Sequence, residues 1–309
     1  MSDELHKPAK KKFPRRKIYV DKPYSIFSID LADLSAYTKE NDGHRYILTC
    51  IDVFSRKTWG VPIKNKDAST ILAAFKKIIA SAKKKPTLIY ADDGSEWKGV
   101  FSKFLTDNNI TIYHTYSAFH ASPIERFHRT LKNLINRHFT ENNTHKYIDV
   151  LPAIFKQYNS TEHSSIGMTP NEAILQKNLK KAHDYQYRDM PTEAPTEAKF
   201  KLDDKVRISR TKNVFEKEGW NWTQEIFTVV TIQYTNPVTY KLRDSNGKAV
   251  IGSFYEQELQ KTELDGMYLV EKILKKRTVK RKKEVLVKWL GYSDDFNSWE
   301  PEAGLKELS

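Results

Sequence analysis

The sequence predicts three folded parts in series: a mixed α/β domain, a small all-β barrel and a short α+β segment. Three observations carry this. Up to about residue 178, β-branched and aromatic runs give way to helical spacing and then alternate with it. The stretch Pro191-Thr192-Glu193-Ala194-Pro195-Thr196-Glu197-Ala198 then breaks the pattern as a linker does. From Phe200 onward the periodicity is that of strands. A chain of 309 residues is also too long for one ordinary small domain.

Residues 1–20 are polar and basic, with Lys10-Lys11-Lys12-Phe13-Pro14-Arg15-Arg16-Lys17, and read as a solvated tail. The same run suits phosphate contact or a nuclear import signal. Over 21–178, Tyr24–Asp30, Arg45–Phe54 and Thr58–Lys64 read as strands between polar turns. Ala68–Ala82 has helical spacing through Ile71, Leu72, Phe75, Ile78 and Ile79. Thr87–Ala91 is a buried-type strand, Val100–Asn108 a short helix and Ile110–His114 another strand. Pro123 opens a helix whose apolar stripe is expected at Ile124, Phe127, Leu131, Leu134 and His138. Ile148–Tyr158 and Pro170–Leu175 are two further helices, and 179–199 is expected to be linker. Within 200–261, Val206–Ser209, Ile226–Tyr234 and Val238–Leu242 alternate, and Ser245-Asn246-Gly247 supplies a hairpin turn. The last part, 266–309, holds Tyr268–Leu274, a basic hairpin at Lys275–Lys283, the strand Glu284–Trp289 and Trp299-Glu300-Pro301.

Composition narrows the chemistry. Lysine and arginine outnumber aspartate and glutamate 52 to 39, a formal charge of +13, which points to a polyanionic partner. The plainer alternative is charge that only keeps the protein soluble. The single cysteine, Cys50, excludes a disulfide framework and a cysteine-rich zinc site, and its apolar neighbours mark it as core. No apolar stretch is long enough to span a membrane and no signal-peptide pattern is present, so no membrane partner and an intracellular location are expected.

Three acids stand at element ends. Asp30 closes Ser25-Ile26-Phe27-Ser28-Ile29-Asp30, Asp92 follows Leu88-Ile89-Tyr90-Ala91, and Glu125 lies in the first turn of the Pro123 helix. Two strand ends and a helix start can converge on one side of a sheet. Carboxylate oxygens suit hard divalent cations, and two such ions can activate a nucleophile and hold the leaving oxygen of a phosphodiester. On a basic chain this reads as metal-dependent chemistry on nucleic acid. Each acid also has a plain reading, as solvated strand end, turn residue before Gly94, or helix-dipole partner. Asp33 and Asp93 are neighbouring candidates.

Glu125, Arg129, Lys132 and Asn136 follow i, i+4, i+7 and i+11, one helix face beside the apolar stripe. A carboxylate followed by two cations would put metal ligand and phosphate contacts side by side; a solvent-facing charged helix is the alternative. His120, in the small-residue loop before Glu125, is a further candidate for DNA contact, and His163 reads as structural.

The segments Asp30-Leu31-Ala32-Asp33, Asp92-Asp93-Gly94-Ser95-Glu96 and Glu125-Arg126-Phe127-His128-Arg129-Thr130-Leu131-Lys132 together resemble the three motifs of retroviral-type integrases. The resemblance implies an RNase H-like core with an Asp30, Asp92, Glu125 triad holding two Mg2+ or Mn2+ ions. The family pattern sets the acid before one polar residue and a glycine, which selects Asp92 over Asp93. Several segments are more narrowly similar to integrases of Maverick/Polinton elements and their virophage relatives. They include Ile51-Asp52-Val53-Phe54-Ser55, His163-Ser164-Ser165-Ile166-Gly167-Met168-Thr169-Pro170 and Trp222-Thr223-Gln224-Glu225-Ile226-Phe227. Retroviral integrases carry an N-terminal His/Cys zinc domain that has no counterpart here. That departure implies another route to multimerisation or an upstream part beyond this sequence.

Tyr268-Leu269-Val270-Glu271-Lys272-Ile273, Val287-Lys288-Trp289-Leu290-Gly291-Tyr292 and Ser298-Trp299-Glu300-Pro301 resemble a chromodomain. In that family three aromatics box a methylated lysine; Tyr268, Trp289 and Tyr292 match them, through cation–π attraction. The alternative is that all three are core residues. Together the resemblances imply a DNA integrase that processes 3′ ends and joins them to target DNA. Its SH3-like barrel would hold the DNA backbone through Lys205, Arg207, Arg210 and Lys212. Its chromodomain would read a methylated histone tail. A homo-oligomer on double-stranded DNA, tetramer or larger, is implied, in the host nucleus or also packaged in a virion. Two other readings stay open: a non-catalytic chromatin adaptor descended from an integrase, and an RNase H-like nuclease without strand transfer.

Overall fold

The computed structural model describes residues 2–10, 12–16, 18–114, 123–190, 193, 195–210, 219–263, 268–279, 281–303 and 305. The chain divides into two compact units, Ile18–Met190 and the pairing of Met1–Lys17 with Pro191–Ser309. Its first element, α1 (Ser2–His6), therefore belongs with the C-terminal unit.

The unit Ile18–Met190 runs β1 (Ile26–Asp33), β2 (Tyr46–Asp52), β3 (Thr58–Ile63), α2 (Ala68–Ala82), β4 (Leu88–Ala91), α3 (Val100–Asp107) and β5 (Thr111–His114). It continues with α4 (Pro123–Asn142), α5 (Leu151–Asn159), α6 (Pro170–Ala173) and α7 (Leu179–Tyr187). The sheet order is β3-β2-β1-β4-β5. β1, β2 and β3 form an antiparallel meander, and β4 and β5 join parallel to β1. The parallel additions need crossovers, which α2 and α3 supply. α2 begins at Asp67, whose carboxylate accepts the Thr70 amide, and ends at Lys83 in the left-handed conformation.

Helices cover both faces of the sheet. Phe27 and Ile29 of β1, with Leu48 and Cys50 of β2, pack on Ile71, Phe75 and Ile78 of α2. Ala32 of β1, with Ile47 and Ile51 of β2, packs on α4 and α5. Side chains alternate along a strand, so Asp30, two residues before Ala32, lies on the α4 face. Its partner across the ladder is Thr49, on the same face as Ile47 and Ile51.

The buried stripe of α4 is Ile124, Phe127, Leu131, Ile135 and Phe139. It departs from the expected Leu134 and His138 at its C-terminal end. A 3.6-residue period carries the core line to 135 and 139 and leaves those two half-buried. Glu125, Arg129, Lys132 and Asn136 are left exposed.

Residues 179–187, expected as linker, form α7. Ala182 joins the cluster of Val20, Phe54 and Ile166, and the Tyr187 hydroxyl accepts the Val20 amide at 2.7 Å. The Pro-rich run lies entirely after this helix.

In the other unit, β6 (Lys205–Ile208), β7 (Phe227–Gln233), β8 (Thr239–Arg243), β9 (Phe254–Tyr255) and β10 (Leu259–Lys261) form a sheet of order β10-β6-β7-β8-β9. Val206, Val229, Tyr240 and Leu242 fill its centre. β11 (Val270–Val279), β12 (Lys282–Trp289) and β13 (Ser298–Pro301) make a separate antiparallel sheet around Val270, Val285 and Val287. The N-terminal residues are not a free tail. Leu5 is buried, its carbonyl accepts the Asn221 amide at 2.8 Å, and Phe13 lies against Tyr255 with ring centroids 5.6 Å apart. Among the described residues no helix is long and apolar enough to cross a membrane.

Candidate active site and reader surface

Asp30 is the electrostatic centre of the core site. One carboxylate oxygen accepts the Leu31 amide at 2.7 Å, and the other lies 3.5 Å from His128 Nδ1. Burial raises its pKa to about 6, against the opposing Leu31 hydrogen bond, and the charges of Asp92, Glu125 and Glu96 push it further up. Asp92 and Glu125 thus both lie within electrostatic reach of Asp30, which sits inside β1 rather than at its end as the sequence suggested.

Asp92 is held from behind. The indole of Trp97, which is buried, donates to its Oδ1 at 2.7 Å, and its carbonyl receives His114 Nδ1 at 2.7 Å. Asp93 is exposed. Asp33 is taken up by the turn that follows β1: its carboxylate accepts the Ser35 amide at 2.8 Å, and the Ser35 hydrogen bonds hold its pKa down.

Two neighbours were not singled out from the sequence. Glu96 folds over Gly94: a Cβ there would stand 2.4 Å from the Glu96 carboxyl carbon. His128 links the helix to the sheet. Its Nε2 is 2.6 Å from Thr49 Oγ1, whose hydroxyl donates to the Asp30 carbonyl at 2.8 Å. That hydroxyl proton is committed, so His128 Nε2 is the donor and Nδ1 presents its lone pair toward Asp30. Burial lowers His128 to about 4, with Lys132 adding to the effect, so the ring is neutral and its contact with Asp30 is not an ion pair at neutral pH. The one signal in the sequence was its place three residues after Glu125; the Asp30–Thr49 register that brings it to Asp30 is seen in the structure.

The donor chemistry at Asp30, Asp92 and Glu125 fits a hard divalent cation, because burial and then the neighbouring carboxylates disfavour the charge on Asp30, which a cation would relieve. As they lie, no three Asp, Glu, His or Cys side chains among the described residues are close enough to share one ion. His120 lies outside the described residues, as does Lys212.

In the barrel the expected cationic row divides. Lys205 and Arg210 are exposed, and Lys205 Nζ donates to Thr228 Oγ1 at 3.0 Å. Arg207 corrects the expectation, for it is only 1% exposed. Its Nη1 donates to the Thr223 and Gln224 carbonyls at 3.0 and 2.7 Å, and its Nε to Glu4 at 3.3 Å. It ties α1 to the barrel and has no free face for phosphate.

Tyr268, Trp289 and Tyr292 come together. The Tyr268 ring centroid is 5.8 Å from that of Trp289 and 5.7 Å from that of Tyr292, both steeply inclined. Tyr268 is exposed and Trp289 half-buried, its indole donating to Ser298 Oγ at 3.0 Å. Tyr292 is buried, with its hydroxyl 3.5 Å from the Gln224 carbonyl and its ring 5.3 Å from Phe296. It is the fixed wall of the group and Tyr268 the open one.

Comparison with known proteins agrees with these parts. Residues 20–117 match the family described as Integrase core domain, and residues 268–308 match the chromatin organisation modifier (Chromo) domain. A transposon-derived protein of Caenorhabditis elegans is 28% identical over 226 residues, 70% of this chain and 74% of that protein. The Gag-Pol polyprotein of Walleye dermal sarcoma virus is 27% identical over 138 residues, 44% of this chain but only 8% of the polyprotein. A chain of the simian T-cell lymphotropic virus intasome, solved by cryoEM with PP2A regulatory subunit B56 gamma, superposes with a TM-score of 0.61. It has 15% identity and covers 85% of this chain and 87% of that one. The HTLV-2 integrase catalytic core, solved with magnesium, gives a TM-score of 0.41 at 19% identity, covering 49% of this chain and 96% of that one.

The fold class is therefore an RNase H-like integrase core followed by all-β modules. More particularly, residues 20–117 are similar to an integrase core domain and residues 268–308 to a chromodomain, and the chain is similar over most of its length to a transposon-derived protein.

Proposed function

We propose that the chain is a DNA integrase of the Maverick/Polinton type, which trims the 3′ ends of its element and joins them to target DNA. The observation that carries this is the convergence of three acids: Asp92 and Glu125 lie near enough to Asp30, a half-buried carboxylate within β1, to add to the rise in pKa that its burial causes. Such a site gains most from a divalent cation. Asp30, Asp92 and Glu125 would hold Mg2+ or Mn2+, two ions per site, drawn inward by side-chain rotation. Bound there, the ions would supply Lewis acidity for phosphoryl transfer.

The chain's own residues do the rest. Trp97 fixes the Asp92 carboxylate and the Leu31 amide holds that of Asp30, while His128 and Thr49 tie α4 and β2 to the strand that carries it, so the carboxylates are oriented before substrate arrives. Arg129, Lys132 and Asn136, exposed beside Glu125, would align the phosphates of the scissile strand, and His120 would lie near them. In processing, a water oxygen attacks phosphorus and the strand's 3′ oxygen leaves with the proton. In joining, the freed 3′ hydroxyl is the attacker and a target-strand 3′ oxygen leaves. One P–O bond forms for each one broken, so joining needs no nucleotide cofactor.

Exposed Lys205 and Arg210, with Lys212, would add backbone contacts in the barrel. Tyr268, Trp289 and Tyr292 would take a methylated lysine of a histone tail and bias integration toward modified chromatin. This reading implies action in the nucleus by a homo-oligomer that holds two DNA ends.

The test is a joining assay with a labelled 3′-hydroxyl oligonucleotide of the element end, with Mg2+, Mn2+ or EDTA. Metal-dependent longer products support integration. Cleavage without joining would support a nuclease instead, and DNA binding without either would support a chromatin adaptor.

A further inference from the structure

A cavity of about 180 Å3 opens beside α4, with none of the three acids among its lining residues. Arg126, Arg129 and Thr130 of α4 form one wall, and Tyr158, His163 and Arg56 form the others. Its floor includes Ile51, two residues along β2 from Thr49, about 7 Å at strand rise.

Its lining is one-sided in chemistry. Three arginines line it and, among the described residues, no carboxylate does. Arg56 is buried, with Nε donating to Ser165 Oγ at 3.1 Å and Nη1 to the Val53 carbonyl. Burial and the like charge of Arg126 bring its pKa down to about 10, so two guanidinium groups are held near each other against repulsion. Asp52, the acid that acts on Arg56, is occupied elsewhere: its carboxylate accepts the Tyr24 and Ser55 amides at 2.9 Å each, and the Ser55 hydroxyl.

The neutral groups are donors as well. His163 Nδ1 accepts the Ser165 amide at 3.3 Å, and burial with Arg56 and Arg126 lowers the ring to about 4. The neutral ring therefore carries its proton on Nε2. The Tyr158 hydroxyl has no hydrogen-bond partner among the described residues, and burial pushes it up to about 12, which keeps its proton in place. Guanidinium, imidazole N–H and phenol O–H donors around one cavity, with the Thr130 hydroxyl turned to the Arg126 carbonyl and no carboxylate among its described lining residues, are what a tetrahedral oxyanion needs.

We propose that this cavity binds a phosphate group, supplied by the backbone of the nucleic-acid strand that crosses α4. The source rests on the integrase reading; the oxyanion chemistry does not.

The test titrates the full chain with inorganic phosphate in EDTA, at ionic strength matched with chloride, and follows the 31P resonance. One saturable site is expected. Loss of a charge-assisted contact should weaken Arg126→Gln roughly tenfold, and Tyr158→Phe a few-fold, with unchanged melting temperatures. A wild-type response no larger than the chloride control, or both variants binding like wild type, would overturn the proposal. Adding an element-end oligonucleotide distinguishes the sources. Displaced phosphate identifies the strand as the ligand, and undisplaced phosphate identifies a free phosphate compound. Asp92→Asn protein should bind phosphate normally while losing joining, so failure here and failure of the integrase reading are separate results.

Discussion

Replacing Asp30 by asparagine should make the metal-free protein more stable, although it removes a residue central to function. Burial and three neighbouring carboxylates raise Asp30 from 3.8 to about 6, so the fold favours its neutral form. Below pH 4 the group is protonated in both folded and unfolded chains and costs nothing. As pH rises through about 6 it ionises in the fold, and the stability tied to the neutral form is lost. A rise from 3.8 to about 6 corresponds to about 3 kcal/mol. The side chain is 33% exposed, so solvent screening brings this to about 1–2 kcal/mol. Asparagine keeps the Leu31 contact through its carbonyl and can donate to the His128 lone pair. At pH 7.5 in EDTA the core endotherm in scanning calorimetry should rise by about 3–6 °C in Asp30→Asn, at a few degrees per kcal/mol for a unit of this size. At pH 3.5, below the unfolded value, the two proteins should nearly converge. Saturating Mg2+ should stabilise wild type and leave the variant nearly unchanged. A variant no more stable than wild type at pH 7.5, or a difference that does not shrink in acid, would refute the reasoning.

Three further outcomes follow from the geometry. Neutral replacement of Arg129 and Lys132 should weaken DNA binding and flatten the slope of log affinity against log salt by about one per lost phosphate contact; an unchanged slope places this face in solvent. Arg207→Ala should destabilise the barrel by about 2–4 kcal/mol, read as a lower denaturant midpoint, because two buried carbonyls and Glu4 lose their donor; a folded variant with only weaker DNA binding would restore Arg207 to the DNA surface. Trp289→Ala should cost about 1–2 kcal/mol in affinity for a trimethylated histone peptide while joining on naked DNA is retained; a wild-type protein that binds methylated and unmethylated peptides alike would rule out the cage.

Much of the core was legible because its strands and helices carry clean periodicities. The Ser25–Asp30 run ends in an acid, and the i, i+4, i+7, i+11 face of α4 is exposed as its spacing requires. What was not legible depends on contacts between distant segments. Arg207 alternates with Val206 and Ile208 as an outward residue would, yet α1, from the far N-terminus, covers it and supplies Glu4. α7 has a thin apolar stripe, and its value lies in Tyr187 gripping the backbone at Ile18 and Val20. His128 and Glu96 read as ordinary surface residues until the Asp30–Thr49 register and the Gly94 turn bring them to Asp30.

The most direct measurement compares joining by Asp30→Asn, Asp92→Asn, Glu125→Gln and Asp93→Asn proteins on one labelled element end in Mg2+. The first three should fall by about a thousandfold or more while still binding DNA, since each amide keeps shape but loses the anionic ligand. Asp93→Asn should join within a few-fold of wild type. Near-normal joining by Asp92→Asn, with loss in Asp93→Asn, would contradict the site as built here.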